Sequence, residues 1–347
     1  MKGKMKAQVF HGPEDVRLEY IDIPEIKYDE ALVRIKSALT CGSDLKTYRR
    51  GHPVMIKEHS VFGHEWAGDI VGAGSRVSRF KTGDRIVSAN TAPCGRCYYC
   101  SLGRYSLCEN LEYNNGAYAE YIKVPGNILQ KNTYRIPDGI EYREAALLEP
   151  LACVVHGIEE SSIKAGDIVA INGAGPIGLM FVALAKLKGA IVISVDLSDE
   201  RLEYAELFGA DYIINGSKVD SEVQAVKNLT EMGRGVDIAI DATGVPSVWE
   251  MTVLMGRKGA LINLFGGCLP GTSIKIDTGL IHYSELTIKG VYHHTPSYVK
   301  EAFDLITSRR IDAARFITAD MPLEKLKDAL ELMEQRKGIK YNILTQE

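Results

Sequence analysis

Residues 167–196, DIVAINGAGPIGLMFVALAKLKGAIVISVD, admit few architectures. The stretch reads as an apolar strand, a glycine turn, an amphipathic helix and a second strand ending in an acid, which is a βαβ unit. Gly173, Gly175 and Gly178 form GxGxxG. Glycines at that spacing let the backbone turn tightly, approach a pyrophosphate and pack the helix on the sheet, while the helix N-terminus offers free amides to phosphate. Asp196 follows Gly178 by eighteen residues. At the end of the second strand its carboxylate can accept hydrogen bonds from an adenosine ribose and would repel a 2′-phosphate, which favours NAD over NADP. Further strand patterns at DYIIN, VDIAIDATG and GALINLFG, separated by helical stretches near 199–209 and 246–256, predict a doubly wound parallel sheet across residues 152–285.

The first 151 residues have a different texture. QVFHG, VRLEYIDI, ALVRIKSA, WAGDIVGAG and DRIVSA alternate apolar and polar residues between Gly and Pro breaks, predicting a strand-rich domain with long loops. After 285 come TIKGVYHH, amphipathic helical segments at 296–309 and 323–336, and a final strand IKYNILT, so residues 286–347 are expected to return to the first domain. A chain of 347 residues with 46% hydrophobic content can fill two cores. The net charge of −4, spread through the sequence, lacks the basic face that nucleic acid requires. No apolar run has the roughly 20 residues of a membrane helix, and the start lacks a secretory apolar block. The expected location is the cytoplasm, with small molecules as partners.

Seven cysteines in such a chain are not a disulfide framework, because the cytosol keeps thiols reduced and an odd number cannot pair completely. Cys94, Cys97, Cys100 and Cys108 lie within CGRCYYCSLGRYSLC, inside a lobe of residues 90–112. Four thiolates so close can enclose one tetrahedral zinc and leave no position open, so the expected site is structural. An iron–sulfur cluster, a set of redox thiols and a nucleic-acid-binding zinc ribbon are the competing readings. Cys153 and Cys268, in LACVV and FGGCL, read as small buried packing residues. Cys41 differs: it opens CGSD, and FGHE follows with His64 and Glu65. Thiolate, imidazole and carboxylate are all zinc ligands, and three protein ligands leave a position for water or substrate. By spacing alone, ordinary packing residues remain the alternative.

The order CGSD (41–44), GHE (63–65), the four-cysteine lobe, EP (149–150), GAGPIG (173–178) and VDLSDERL (195–202) closely resembles the zinc-dependent medium-chain dehydrogenases, particularly their sorbitol and polyol dehydrogenase branch. The resemblance covers nearly the whole chain. It implies an α/β protein made of a GroES-like catalytic domain interrupted by a Rossmann NAD-binding domain, with one catalytic and one structural zinc. It makes Cys41 and His64 catalytic zinc ligands and puts Glu65 and Glu149 at or just beyond the metal, where either can bind directly, act through water or exchange. Ser43 becomes the first proton acceptor, and Asp44 orients His64 unless it is only a helix cap. Pro176, Ile177 and Arg201 join the three glycines and Asp196 as cofactor-binding residues. Family members commonly end their proton relay on a histidine where this chain has Lys46, which takes that catalytic place or else is a solvated lysine. His293 and His294 fall in the stretch that contacts sugar hydroxyls in polyol dehydrogenases. A homodimer or homotetramer is also implied.

The activity expected from these features is hydride transfer between NAD and a secondary alcohol or ketone, most simply a polyol, sugar or cyclitol. The basic run KTYRRGHPVMIKEH (46–59) would suit a phosphate or carboxylate on the substrate, or else is a solvated loop. An amino-alcohol substrate of threonine type, a zinc-free quinone reductase and a non-catalytic NAD(H)-binding sensor are the rival readings.

Overall fold

Glycine punctuation and strand alternation build two units. The computed structural model describes residues 3–51 and 56–346. One unit comprises residues 1–152 and 294–347, the other 153–293.

In the second unit six strands pair in parallel in the order Tyr212–Asn215, Ile191–Asp196, Ile168–Asn172, Val236–Asp241, Gly256–Leu264, Thr287–Gly290. Residues such as Ala170, Ile193, Ala239 and Ile262 are fully buried, as a parallel sheet covered by helices demands. The chain starts at a central strand, works outward, then returns to the other side, so the order reverses between Ile168–Asn172 and Val236–Asp241. Ligands of such sheets sit beyond the carboxyl ends of the strands at that reversal. The first glycine loop lies there. Strand Thr287–Gly290, expected with the returning tail, is instead the sixth strand of this sheet, because it pairs in parallel with Leu261–Leu264.

The first unit holds two larger sheets. A three-stranded one runs Asp15–Asp22, Lys4–Gly12, Ser60–Val61. The other runs Thr133–Arg135, Arg85–Ser88, Glu65–Ala73, Ala31–Leu39, Lys340–Leu344, Ile317–Pro322, with Tyr121–Val124 also paired to Ala31–Leu39. Phe10, Phe62, Trp66, Tyr118 and Ile35 are buried at its core. The final strand, Lys340–Leu344, thus inserts beside a strand some three hundred residues earlier, Asn342 opposite Leu39. Cys153 and Cys268 are half-buried rather than fully packed. Among the described residues no helix is long and apolar enough to cross a membrane.

Candidate active site and cysteine lobe

The short helix Gly42–Arg50 starts immediately after strand Ala31–Leu39, with Cys41 as its N-cap. Asp44, in its first turn, does two jobs. Its Oδ2 accepts the Cys41 amide at 2.9 Å, closing the helix end, and the Tyr118 hydroxyl at 2.6 Å. Its Oδ1 lies 3.2 Å from Nδ1 of His64. Asp44 therefore caps the helix with one oxygen and faces His64 with the other. Gly63 sits at φ +85°, and a Cβ there would come within 2.6 Å of the Tyr118 ring, so FGHE needs its glycine to let the phenol reach Asp44.

Cys41 Sγ, a His64 nitrogen and a Glu65 oxygen lie within 4.8 Å of one another. His64 and Glu65 are buried, while Cys41 is partly exposed. A thiol, an imidazole and a carboxylate converging mostly out of solvent form a donor set that suits zinc, and three ligands leave a coordination position for water or substrate. Burial opposes a charge on His64, yet Asp44 and then Cys41 outweigh it and hold the imidazole well above its ordinary pKa. Burial pushes the Glu65 carboxyl up to about 7 against the pull of Lys340. Lys340 is 1% exposed; its Nζ lies 3.0 and 2.9 Å from the two Glu65 oxygens and donates to the Thr40 carbonyl at 2.6 Å.

Glu149 lies in the first turn of helix Leu148–Ser161, in the same unit as Cys41 and His64. Its Oε1 is 3.8 Å from Nε2 of His294, which in turn is 3.5 Å from the Thr91 hydroxyl. His294 is thus brought beside a predicted metal-site carboxylate. His293 has φ +62°, and its carbonyl meets His156 Nδ1 at 2.6 Å. Ser43 is half-buried in the first turn of its helix, and Lys46, one turn later, is exposed. In the basic run, Arg49 faces Glu14 and Glu334, and residues 52–55 lie outside the described residues.

In the lobe, the four sulfurs also lie within 4.8 Å of one another. Cys97 and Cys108 Sγ are 3.8 Å apart. Two sulfurs bound at about 2.3 Å to a tetrahedral ion would stand about 3.8 Å apart, whereas a disulfide requires about 2.05 Å. Backbone amides already point at the sulfurs: Arg96 N–H to Cys94 at 3.5 Å and Cys94 N–H to Cys108 at 3.2 Å. The Arg96 amide leads in drawing the Cys94 thiol down to about 6, while burial pushes Cys100 up to about 12.

In the second unit Gly173 has φ +96°, and a Cβ on Gly178 would lie 1.7 Å from the Gly173 carbonyl oxygen, so the third glycine is required by packing. Pro176 begins helix Pro176–Leu187, where its missing N–H costs nothing. Asp196 Oδ2 accepts the Ala174 amide at 2.7 Å and Oδ1 the Ser198 amide at 3.0 Å, tying the acid to the glycine loop. An Arg201 nitrogen lies 3.7 Å from where a Cβ on Gly175 would be.

Residues 27–138 match the alcohol dehydrogenase GroES-like domain and residues 176–308 the zinc-binding dehydrogenase family. A sorbitol dehydrogenase of Bacillus subtilis is 34% identical over 96% of this chain and 95% of its own. The chain belongs to the zinc-dependent medium-chain dehydrogenases. It falls in their sorbitol/polyol dehydrogenase-like branch and is an alcohol/polyol oxidoreductase acting on small molecules. Among solved structures, one from Sinorhizobium meliloti 1021 bound to NADP has a TM-score of 0.91 at 30% identity, covering 99% of each chain. A short chain alcohol dehydrogenase from E. coli CFT073 complexed with NADH has a TM-score of 0.88 at 29% identity, covering 98% of this chain and 99% of that one.

Lys340 and Tyr118 are the site residues that sequence reasoning missed. Lys340 opens the final strand, KYNIL, where a lysine at a strand end reads as exposed. Tyr118 carried no signal of its own.

Proposed function

We propose that this dehydrogenase interconverts a secondary alcohol of the polyol, sugar or cyclitol class and its ketone, using NAD. The reading rests above all on the convergence of a partly exposed Cys41 with buried His64 and Glu65, their ligand atoms within 4.8 Å of one another. The sorbitol dehydrogenases among its relatives support the substrate class.

Cys41 and His64, with Glu65 or Glu149, would hold the catalytic zinc, and Cys94, Cys97, Cys100 and Cys108 the structural one. Zinc in the first set supplies a Lewis acid for the substrate oxygen, and NAD supplies the hydride acceptor. Asp44 fixes the orientation of His64. Lys340 engages both oxygens of Glu65, so any movement of that carboxylate competes with a buried ion pair. Ser43 takes the hydroxyl proton and Lys46 stands where it can pass to solvent. His293 and His294 contact substrate hydroxyls. Gly173, Gly175, Pro176, Ile177 and Gly178 cradle the pyrophosphate, while Asp196 and Arg201 read the ribose. The Asp196 carboxylate favours NAD over NADP. Strand Thr287–Gly290, which ends the parallel sheet among the described residues, offers an edge for a homodimer or homotetramer, and an odd number of cysteines, seven, suits a reducing, cytoplasmic setting.

The test is a panel of polyols, inositols, sugar phosphates and threonine offered to zinc-loaded protein with NAD, followed by NADH absorbance. Turnover of a polyol, sugar or cyclitol is expected. Turnover of threonine alone would replace the substrate class, and cofactor binding without any turnover would make the chain a sensor. Asp196→Ala should relax the preference for NAD by about tenfold, the equivalent of about 1.4 kcal/mol. An unchanged preference would assign the ribose to another residue.

A further inference from the structure

The three-stranded sheet of the first unit carries a cluster that no step above uses. Its central strand pairs with Ser60–Val61 so that Val9 faces Val61 and Phe10 faces Ser60. Continuing that register by one residue sets His11 opposite His59, whose amide donates to the Phe10 carbonyl at 2.6 Å. Directly opposed antiparallel residues hold their Cβ atoms about 4.5–5.5 Å apart. The two imidazoles accordingly meet, Nδ1 to Nδ1 at 3.0 Å with ring planes at 82°. On the other side of His11, Nε2 lies 2.5 Å from Oε1 of Glu19, supplied by the neighbouring strand Asp15–Asp22.

An ionised carboxylate can only accept, so a neutral His11 carries its proton on Nε2 and aims the Nδ1 lone pair at His59. A carboxylate on the outer nitrogen is the arrangement that fixes the tautomer of a metal-bound imidazole and raises its basicity. His59 adopts φ +60°, a conformation costly for a residue with a Cβ and one that gathers at functional positions. Glu58 adds a second carboxylate close by: its Oε1 is 3.7 Å from where a Cβ on Gly12 would lie. Glu58 and His59 are both exposed, so an ion has free access.

We infer that His11 and His59 form a further site for a divalent transition metal ion, with Glu19 orienting His11 and Glu58, next to His59 in the chain, an additional carboxylate. Two nitrogens about 2.05 Å from a tetrahedral ion stand about 3.3 Å apart, so ring movements of a few tenths of an ångström admit one. Imidazole pairs suit zinc, nickel and copper. With two protein nitrogens and water completing its shell, the ion exchanges more readily than one held by four thiolates. Once bound it fastens the turn before Ser60 to the end of the first strand, on the stretch of chain that connects Ser43 to His64.

Full-length protein already holding two zinc ions per chain is titrated with Zn²⁺ by calorimetry, beside His59→Gln, His11→Gln and Glu19→Gln. One further equivalent is expected in the parent and none in either histidine variant, with binding on the order of tenfold weaker in Glu19→Gln. His59 is exposed, so His59→Gln should keep its two zinc ions and its thermal midpoint without added metal. Failure of the parent to take up a third ion, or uptake by His59→Gln equal to the parent, would reduce the pair to a hydrogen bond between two rings.

Discussion

The two candidate zinc centres gather their ligands in opposite ways. The cysteine lobe draws all four from fifteen consecutive residues, leaves them half-exposed for the most part, and steadies them with its own backbone amides. The site at Cys41 draws on residues 41, 64 and 65, and rests on Tyr118 and Lys340, which meet Asp44 and Glu65 across 74 and 275 residues of sequence. A local cluster needs only a tight loop, and the ion itself supplies the missing core. A site that leaves one side open must be held by its surroundings, and those come from distant segments. The difference teaches that support, rather than ligand identity, separates a stiffening metal from a reactive one.

Four variants can break or sharpen that contrast. Cys41→Ser should lower kcat/KM by about 10³-fold, the loss expected when several kcal/mol of Lewis-acid stabilisation disappears. NADH affinity, followed by fluorescence, should hold, and metal analysis should show one tightly held zinc where the parent has two. Full activity would remove the thiolate from the ligand set. Lys340→Met leaves Glu65 buried without its counter-charge and should cost about 3–5 kcal/mol of stability in denaturant unfolding. Adding Glu65→Gln should restore much of the stability without restoring turnover; a single variant as stable as the parent would show that the pair is not what holds the site.

Cys97→Ser should shift the thermal midpoint down by several degrees while the kcat of intact, zinc-loaded molecules stays near the parent value. An unchanged midpoint with two zinc ions still bound would contradict a folding role for the lobe. Tyr118→Phe removes one hydrogen bond to Asp44 and should cost about 1 kcal/mol. Because Asp44 then holds His64 less firmly, zinc should leave that site faster under a chelator while lobe zinc leaves at the parental rate. Equal loss from both sites would mean that Tyr118 acts only on general stability.

Legibility in the sequence follows the same division. GAGPIG, its flanking strand and helix, and Asp196 are local, so the nucleotide-binding half could be read directly. The four cysteines could be read for the same reason. Cys41 and His64 stood out only once six motifs were seen in one order, because a thiol and an imidazole twenty-odd residues apart do not by themselves specify that they meet. Lys340 escaped because alternation does not reveal that a strand is buried on both faces, as Lys340 through Ile343 are. That is decided by the pairing of Asn342 with Leu39. The final strand of the parallel sheet escaped for a related reason: TIKGV is short, half-exposed and carries no turn signal to separate it from the tail.

Strand Lys340–Leu344 has a consequence for synthesis. The ribosome makes Cys41, His64 and Glu65 early, then the whole dinucleotide-binding unit, and only afterwards the lysine that neutralises Glu65. Until then the early sheet lacks a neighbour and its buried carboxylate lacks a counter-ion. Metal captured by a nascent chain would meet an unfinished cradle, so an ion at Cys41 would be best acquired after release, whereas the lobe could close on an ion while translation is still under way.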